Sequence, residues 1–297
     1  MAREKIDDLR AFIAVARERN FTRAAAGMGI SQSALSHTIR QLEARLGVRL
    51  LTRTTRAVAP TEAGQRLLEG ITPHFAGIDA ELDALGDLRD TPAGTVRIVS
   101  SEYGVSHILW PRLAPFLKAH PDIRVEITQD NGLNDIVSEG YDAGVRRGEH
   151  LARDMISARI GPDLRYIVVG TPDLFDSRPR PRHPRELAAL PCVNFQLQST
   201  GGFFAWEFKE RDHELRVKVE GQLAFNNIFD CLRAAEAGFG LTYVPEEIAR
   251  PGLAEGRLVQ VLEDFCPVWD GFHLYYPNRR QASAAFRAVL EALRHRR

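Results

Sequence analysis

The chain has few cysteines: three in 297 residues, at positions 192, 231 and 266. They are far apart, odd in number and form no CxxC pair, which argues against a disulfide framework and against a zinc site. Long apolar runs are absent as well. No stretch of about 18 apolar residues occurs, so no membrane span is expected. The opening MAREKIDDLR lacks the apolar centre of an export signal, and a cytoplasmic location follows as the expectation. Short catalytic signatures are missing too, including GxSxG, HExxH and paired metal ligands. No metal and no cofactor are expected. What remains is a globular composition, 44% hydrophobic and 26% charged, long enough for two or three domains.

A net charge is also absent, with 39 basic and 39 acidic residues, but the balance is local. Residues 1–60 hold eleven Lys and Arg against five Asp and Glu, whereas residues 61–90 hold two against seven. A basic module followed by an acidic segment points to a polyanion as partner of the first part only.

Within that basic module Leu9, Phe12, Ile13 and Ala16 recur at helical spacing. Asn20 and Phe21 break the pattern, and Thr22 is placed as the cap of a second short helix. Gly27 and Gly29 end it, Gly29 being suited to a left-handed position. Ser31 then caps a third helix, SQSALSHTIRQLE. Two short helices joined by a tight turn with glycine form a helix-turn-helix. Leu35, Ile39, Leu42 and Leu46 make one apolar stripe. Ser33, His37 and Arg40 fall opposite it, with Gln32 and Ser36 on the flank. Such an outward face, with Ser31 and Thr22 at its start, reaches base edges and phosphates in the DNA major groove. Next, VRLLTRTTRAVAP reads as a wing. Val48–Leu51 and Ala57–Ala59 are its strands, and Arg53, Thr54, Thr55 and Arg56 give it a basic tip for phosphates or the minor groove.

Residues 61–90 read as helix apart from Gly64, Gly70, Pro73 and Gly77, with a bend near Gly70–Pro73. Ile71, Phe75, Ile78, Leu82 and Leu85 form a heptad seam. Either a second copy of the chain covers it, giving a dimer, or it packs on the chain's own later domain.

From Gly94 short apolar runs alternate with helical stretches. TVRIVSS, IRVEITQ, ISARI, RYIVVG, LTYVP and LVQVLE read as strands; 104–119, 227–237 and QASAAFRAVLEALR read as helices. That is an α/β pattern, with largely parallel sheets expected. Ligand candidates lie at strand ends and helix starts. They are Ser100 and Ser101, suited to an anion such as a carboxylate, then Thr128, Arg146 with Arg147, Gln196 with Ser199, and Asn226 with Asn227 as caps. GFGLT at 238–242 fits a helix end entering a strand better than a phosphate loop.

The stretch 8–64 resembles the N-terminal domain of LysR-type transcriptional regulators. The matching residues are Phe21-Thr22-x-Ala24-Ala25, Ser31-Gln32-x-Ala34-x-Ser36, Ile39-x-x-Leu42-Glu43, Leu46-Gly47, Arg53-Thr54 and Thr61-Glu62-x-Gly64. Position 33 is Ser where that family often has Pro, and position 37 is His where a basic residue is common. The resemblance implies an α plus α/β chain. Its parts would be a winged helix-turn-helix at 4–61, a dimerising linker helix at 62–90 and an effector-binding domain at 91–297, similar to periplasmic binding proteins. Subdomain I would span about 91–161 and 267–297, and subdomain II about 162–266, with crossings near Ile160–Pro162 and Phe265–Trp269. The implied partners are double-stranded DNA carrying an inverted repeat, a small-molecule effector, and the chain itself as dimer or tetramer. Two other classes stand beside this reading. An enzyme would use Ser100, Ser101 or a cysteine with one of nine histidines; a solute-binding transport protein would need an export signal.

Overall fold

The computed structural model describes residues 2–53, 58–85, 92–132, 136–137, 139–148, 155–176, 178–197, 201–211, 213–277 and 283–295. The chain divides into two compact units, residues 1–82 with 137–140, and 83–136 with 141–297.

In the first unit α1 (Ala2–Glu18), α2 (Phe21–Gly27) and α3 (Gln32–Leu46) are followed by β1 (Leu51–Arg53), β2 (Val58–Pro60) and α4 (Glu62–Leu85). Phe12, Val15, Ala24, Ala25, Leu35, Ile39, Leu42 and Leu50 form its core. Three sequence expectations are corrected. Asn20, not Thr22, caps α2: its Oδ1 accepts from the backbone N–H groups of Thr22 and Arg23 at 2.8 and 3.1 Å. Asn is a stronger cap than Thr, and using it starts the helix two residues earlier. Leu46 leaves the apolar stripe and is 48% exposed, because it is the last helical residue before Gly47 turns left-handed at φ 69°. The strand β1 begins later than expected, at Leu51, and Ala57, the expected start of the second strand, lies outside the described residues. Gly29, at φ 67°, takes the left-handed position as expected.

The wing is tied down by Glu43, whose Oε1 accepts from the N–H groups of Leu50 and Leu51 at 2.8 and 3.1 Å. Thr61 ties the other side, donating its hydroxyl to Arg49 O at 2.7 Å and accepting from Gly64 N at 3.0 Å. Glu43→Ala should therefore destabilise the full chain by about 1–3 kcal/mol, since two half-buried donors lose their acceptor. Urea unfolding checks this; a wild-type midpoint would contradict it. α4 runs without interruption through Gly64, Gly70, Pro73 and Gly77, where the sequence suggested breaks.

In the second unit β3 (Gly94–Ser100), α5 (Trp110–Ala119), β4 (Ile123–Gln129), β5 (Ala143–Arg147) and β6 (Met155–Arg159) come first. They are followed by β7 (Leu164–Gly170), β8 (Val193–Phe195), β9 (Trp206–Glu210), β10 (His213–Val217), β11 (Leu223–Phe225) and α6 (Ile228–Glu236). Last are β12 (Thr242–Pro245), α7 (Glu246–Ala254), β13 (Val259–Val261), β14 (Val268–Trp269), β15 (Phe272–Pro277) and α8 (Ala284–Leu293). One lobe holds a five-stranded sheet of order β4-β3-β5-β15-β6, and the other is built on β12-β7-β13, with β14 also on β7. The first of these sheets is mixed and the second antiparallel, where largely parallel sheets were expected. β3 pairs in parallel with β4 and β5, whereas β15 runs antiparallel to β5 and β6, and β7 is antiparallel to β12, β13 and β14. The returning chain enters the first sheet from the opposite direction, which the spacing of apolar runs does not reveal.

The chain crosses between lobes twice, at 160–163 after β6 and at 270–271 before β15, the second a few residues later than expected. The crossings touch. Ile160 and Gly161 both donate to Phe272 O, at 2.8 and 3.0 Å. A Cβ on Gly271 would lie 2.2 Å from Pro162 O, so only glycine permits this approach.

Candidate functional site

Two surfaces qualify. The first is α3. Ser31 caps it by accepting from Ala34 N at 3.2 Å, and its hydroxyl lies 3.0 Å from that of Ser33. Leu35, Ile39 and Leu42 are buried. That turns Gln32, Ser33, His37 and Arg40 outward as exposed side chains, with Ser36 half-buried. Arg40 Nε donates to Ser36 O at 3.3 Å, which aligns the guanidinium along the helix. Thr22 donates its hydroxyl to Gln32 Oε1 at 3.4 Å, so the two are neighbours across the helix-turn-helix. Arg53 belongs to β1. Its side chain, and the whole of Thr54, Thr55 and Arg56, lie outside the described residues.

The second surface is a cavity of about 520 Å³ in the second unit. The ends of β3 and β5 supply Ser101, Glu102, Tyr103, Arg146 and Arg147, and the other lobe supplies Phe195, Phe204, Trp206, Glu207, Arg216 and Tyr243. Seven aromatic side chains are among the residues of the wall. Its polar groups are held by bonds within and between the lobes. Glu102, 6% exposed, accepts from Ile228 N at the start of α6 and from Asn131 Nδ2, both at 2.6 Å. Arg147 donates to Glu207 at 3.0 Å, and Arg216 stands 3.4 Å from the same carboxylate. Arg147 also lies over the rings of Tyr166 and Trp269, at 5.2 and 5.6 Å. Arg146 donates to Gly132 O at 2.8 Å and lies over Tyr275 at 5.2 Å. Tyr103 donates to Glu247 at 2.9 Å. Burial, with that carboxylate, pushes its phenol well above the ordinary range.

Of the ligand candidates read from sequence, Ser101, Arg146 and Arg147 line this cavity. Four do not. Ser100 is buried, its Oγ without a hydrogen-bond partner. Thr128, Gln196 and Asn226 are exposed side chains outside the lining. Asn227, rather than Asn226, caps α6 by accepting from Phe229 N and Asp230 N. Ser199 lies outside the described residues. Sequence reasoning passed over Glu102, Tyr103, Phe204, Trp206, Glu207 and Tyr243. An acidic residue directly after a strand-end Ser-Ser pair was the one available signal for Glu102. Burial pushes the thiols of Cys192 and Cys231 up to about 12 and that of Cys266 to about 11, so none is poised as a thiolate nucleophile. No group of metal-ligating side chains occurs among the described residues.

Ile71, of the linker seam, packs against the first unit's own core. Phe75 lies under the Arg10 guanidinium at 5.6 Å, and Ile78 is 48% exposed. The side chains of Leu82 and Leu85 lie outside the described residues.

Residues 6–65 match the family described as bacterial regulatory helix-turn-helix protein, lysR family, and residues 89–297 match the LysR substrate binding domain. The chain is 50% identical to a Pseudomonas aeruginosa protein classed among transcriptional regulators, over all of this chain and 97% of that one. It is 45% identical to the HTH-type transcriptional regulator PgrR of Escherichia coli, over all of this chain and 99% of that one. Among solved structures the full-length Vibrio cholerae virulence activator AphB has a TM-score of 0.67 at 23% identity, covering 97% of this chain and 98% of that one; at that identity the likeness concerns the fold. A helix-turn-helix with an outward polar face, a two-lobed domain around a cavity and these matches identify the chain as a member of the LysR-type transcriptional regulator family.

Proposed function

We propose that this regulator grips an inverted repeat in double-stranded DNA as a homo-oligomer in the cytoplasm, by binding alone and without catalysis. The base-reading face is Gln32, Ser33, Ser36, His37 and Arg40, with Ser31 and Thr22 at its start and Arg53, Thr54 and Arg56 of the wing on phosphates. The observation that carries this is the exposure of Gln32, Ser33, His37 and Arg40 on the polar side of α3 while Leu35, Ile39 and Leu42 on its apolar side are buried. The cavity is the effector site. Arg146 holds an anionic group of the ligand, beside Ser101, and the aromatic wall takes the ligand's apolar part. Because the cavity is walled by both lobes, a ligand shifts the angle between them, by no more than its preference for one arrangement.

Selection from random DNA tests the reading. The expected product is an inverted repeat, its two halves about one helical turn or a multiple apart. Enrichment of single half-sites, or of no sequence, would overturn it. Among the described residues no helix is long and apolar enough to cross a membrane, which is consistent with the location proposed.

A further inference from the structure

Three acids and three arginines line the cavity, Glu102, Asp130 and Glu207 with Arg146, Arg147 and Arg216. Asp130 accepts from the Gly132 N–H at 2.6 Å. The charges balance in number, but Glu102 and Arg146 have no ion pair among them. Arg147, Arg216 and Glu207 form one cluster, so the two arginines share a carboxylate. Glu102 is buried, and its partners are the Ile228 N–H and the Asn131 amide. Neither is a cation. Arg146 donates to a backbone carbonyl and lies over Tyr275, so it has no carboxylate. Among the described residues Glu102 and Arg146 are thus an acid and a base on one cavity wall, bonded neither to each other nor to any opposite charge. A charge withdrawn from water is stable when an opposite charge or several hydrogen bonds replace the solvent. A simple anion would answer Arg146 and bring a second negative charge toward Glu102. A ligand with both signs would answer both.

We infer that the effector is a zwitterion with an apolar body, of the amino-acid type. Its ammonium sits on Glu102, its carboxylate on Arg146, and its side chain against Phe195, Phe204 and Trp206. This rests on the reading of the cavity as the effector site. About 520 Å³ lies within the range of small-molecule sites and admits such a body. Glu102 gains a second role here. Through Ile228 it already joins one lobe to the start of α6 in the other, so an ammonium drawn to it reports directly on lobe closure.

Matched probes on the full chain test the inference. L-phenylalanine and L-leucine are compared with their N-acetyl derivatives, which are anions, and their methyl esters, which are cations. Binding is read by thermal shift and by calorimetry. In at least one series the free amino acid should bind roughly tenfold or more tighter than both blocked forms, the size of one charge-assisted contact. Glu102→Gln should narrow its lead over the N-acetyl form, and Arg146→Gln its lead over the ester. The wild-type comparison decides even if a variant folds poorly. If the N-acetyl form binds as tightly as the amino acid, and Arg146→Gln still weakens it, the zwitterion is wrong and the cavity reading stands. If no probe binds the folded wild-type chain, both are overturned.

Discussion

Gly64→Ala should destabilise the first unit and abolish high-affinity DNA binding. At this position α4 crosses the segment that leads into the wing. A Cβ there would lie 1.9 Å from Leu50 O and 2.9 Å from Leu50 C. Both are backbone atoms, so no side-chain rotation relieves the clash. Leu50 is itself buried, and its N–H is held by Glu43. The wing segment and α4 must separate, at a cost at or above the upper end of the ~1–3 kcal/mol typical of overpacking. Gly70→Ala supplies the contrast. It lies in the same helix with nothing within 4 Å of its Cβ position, and should stabilise by ~0.5–1 kcal/mol by restricting the unfolded chain. Urea unfolding of the two variants should move in opposite directions. Equal midpoints would show that the close approach to Leu50 does not matter.

Ile78→Asp combined with Leu82→Asp should convert the oligomer to monomer and with it lose tight DNA binding. LysR-type regulators form oligomers, and this helix shows where an apolar face is left over. Ile71 is used by the chain's own core, while Ile78, seven residues on along the same stripe, stays 48% exposed. At Ile71 the seam serves the first unit, whereas Ile78 is left exposed, and that is where we propose a second copy of the chain docks. Two carboxylates in a dry interface lose several kcal/mol of hydration with no partner. Sedimentation at micromolar concentration gives the answer. An intact dimer would place the contact elsewhere.

The first unit was largely legible from sequence, because its determinants are local. Ser31, Gly29 and Gly47 act through their own backbone positions, and the Leu35, Ile39, Leu42 stripe is a single helical period. Where reading failed there, a local competitor won: Asn20 stood two residues before Thr22 and capped better. Six strands of the second unit, β3, β4, β6, β7, β12 and β13, were found within a residue or two, whereas the apolar β15 was passed over. Strand directions were not found, since antiparallel entry of β15 depends on contacts far apart in sequence. The cavity was the least legible part. Arg146 and Ser101 carried a local signal, a strand end. Trp206, Glu207 and Tyr243 reach the same wall from β9 and β12, and nothing in their neighbourhoods marks that meeting. Some residues shared with the family resemblance also proved to be scaffold. Glu43, Thr61 and Gly64 hold the wing to α4 through the bonds and the close approach described above.

The outward side of α3 is proposed to read DNA bases. The most direct measurement is the affinity of Arg40→Ala and His37→Ala for the selected inverted repeat and for random DNA, beside their melting temperatures. Both side chains are exposed, so the fold and its melting temperature should hold. Specific binding should weaken by about 1–3 kcal/mol for each base-contacting side chain, while random DNA is bound nearly as before. Wild-type affinity of both variants for the selected site would contradict the account, and would mean that α3 presents another face to the groove.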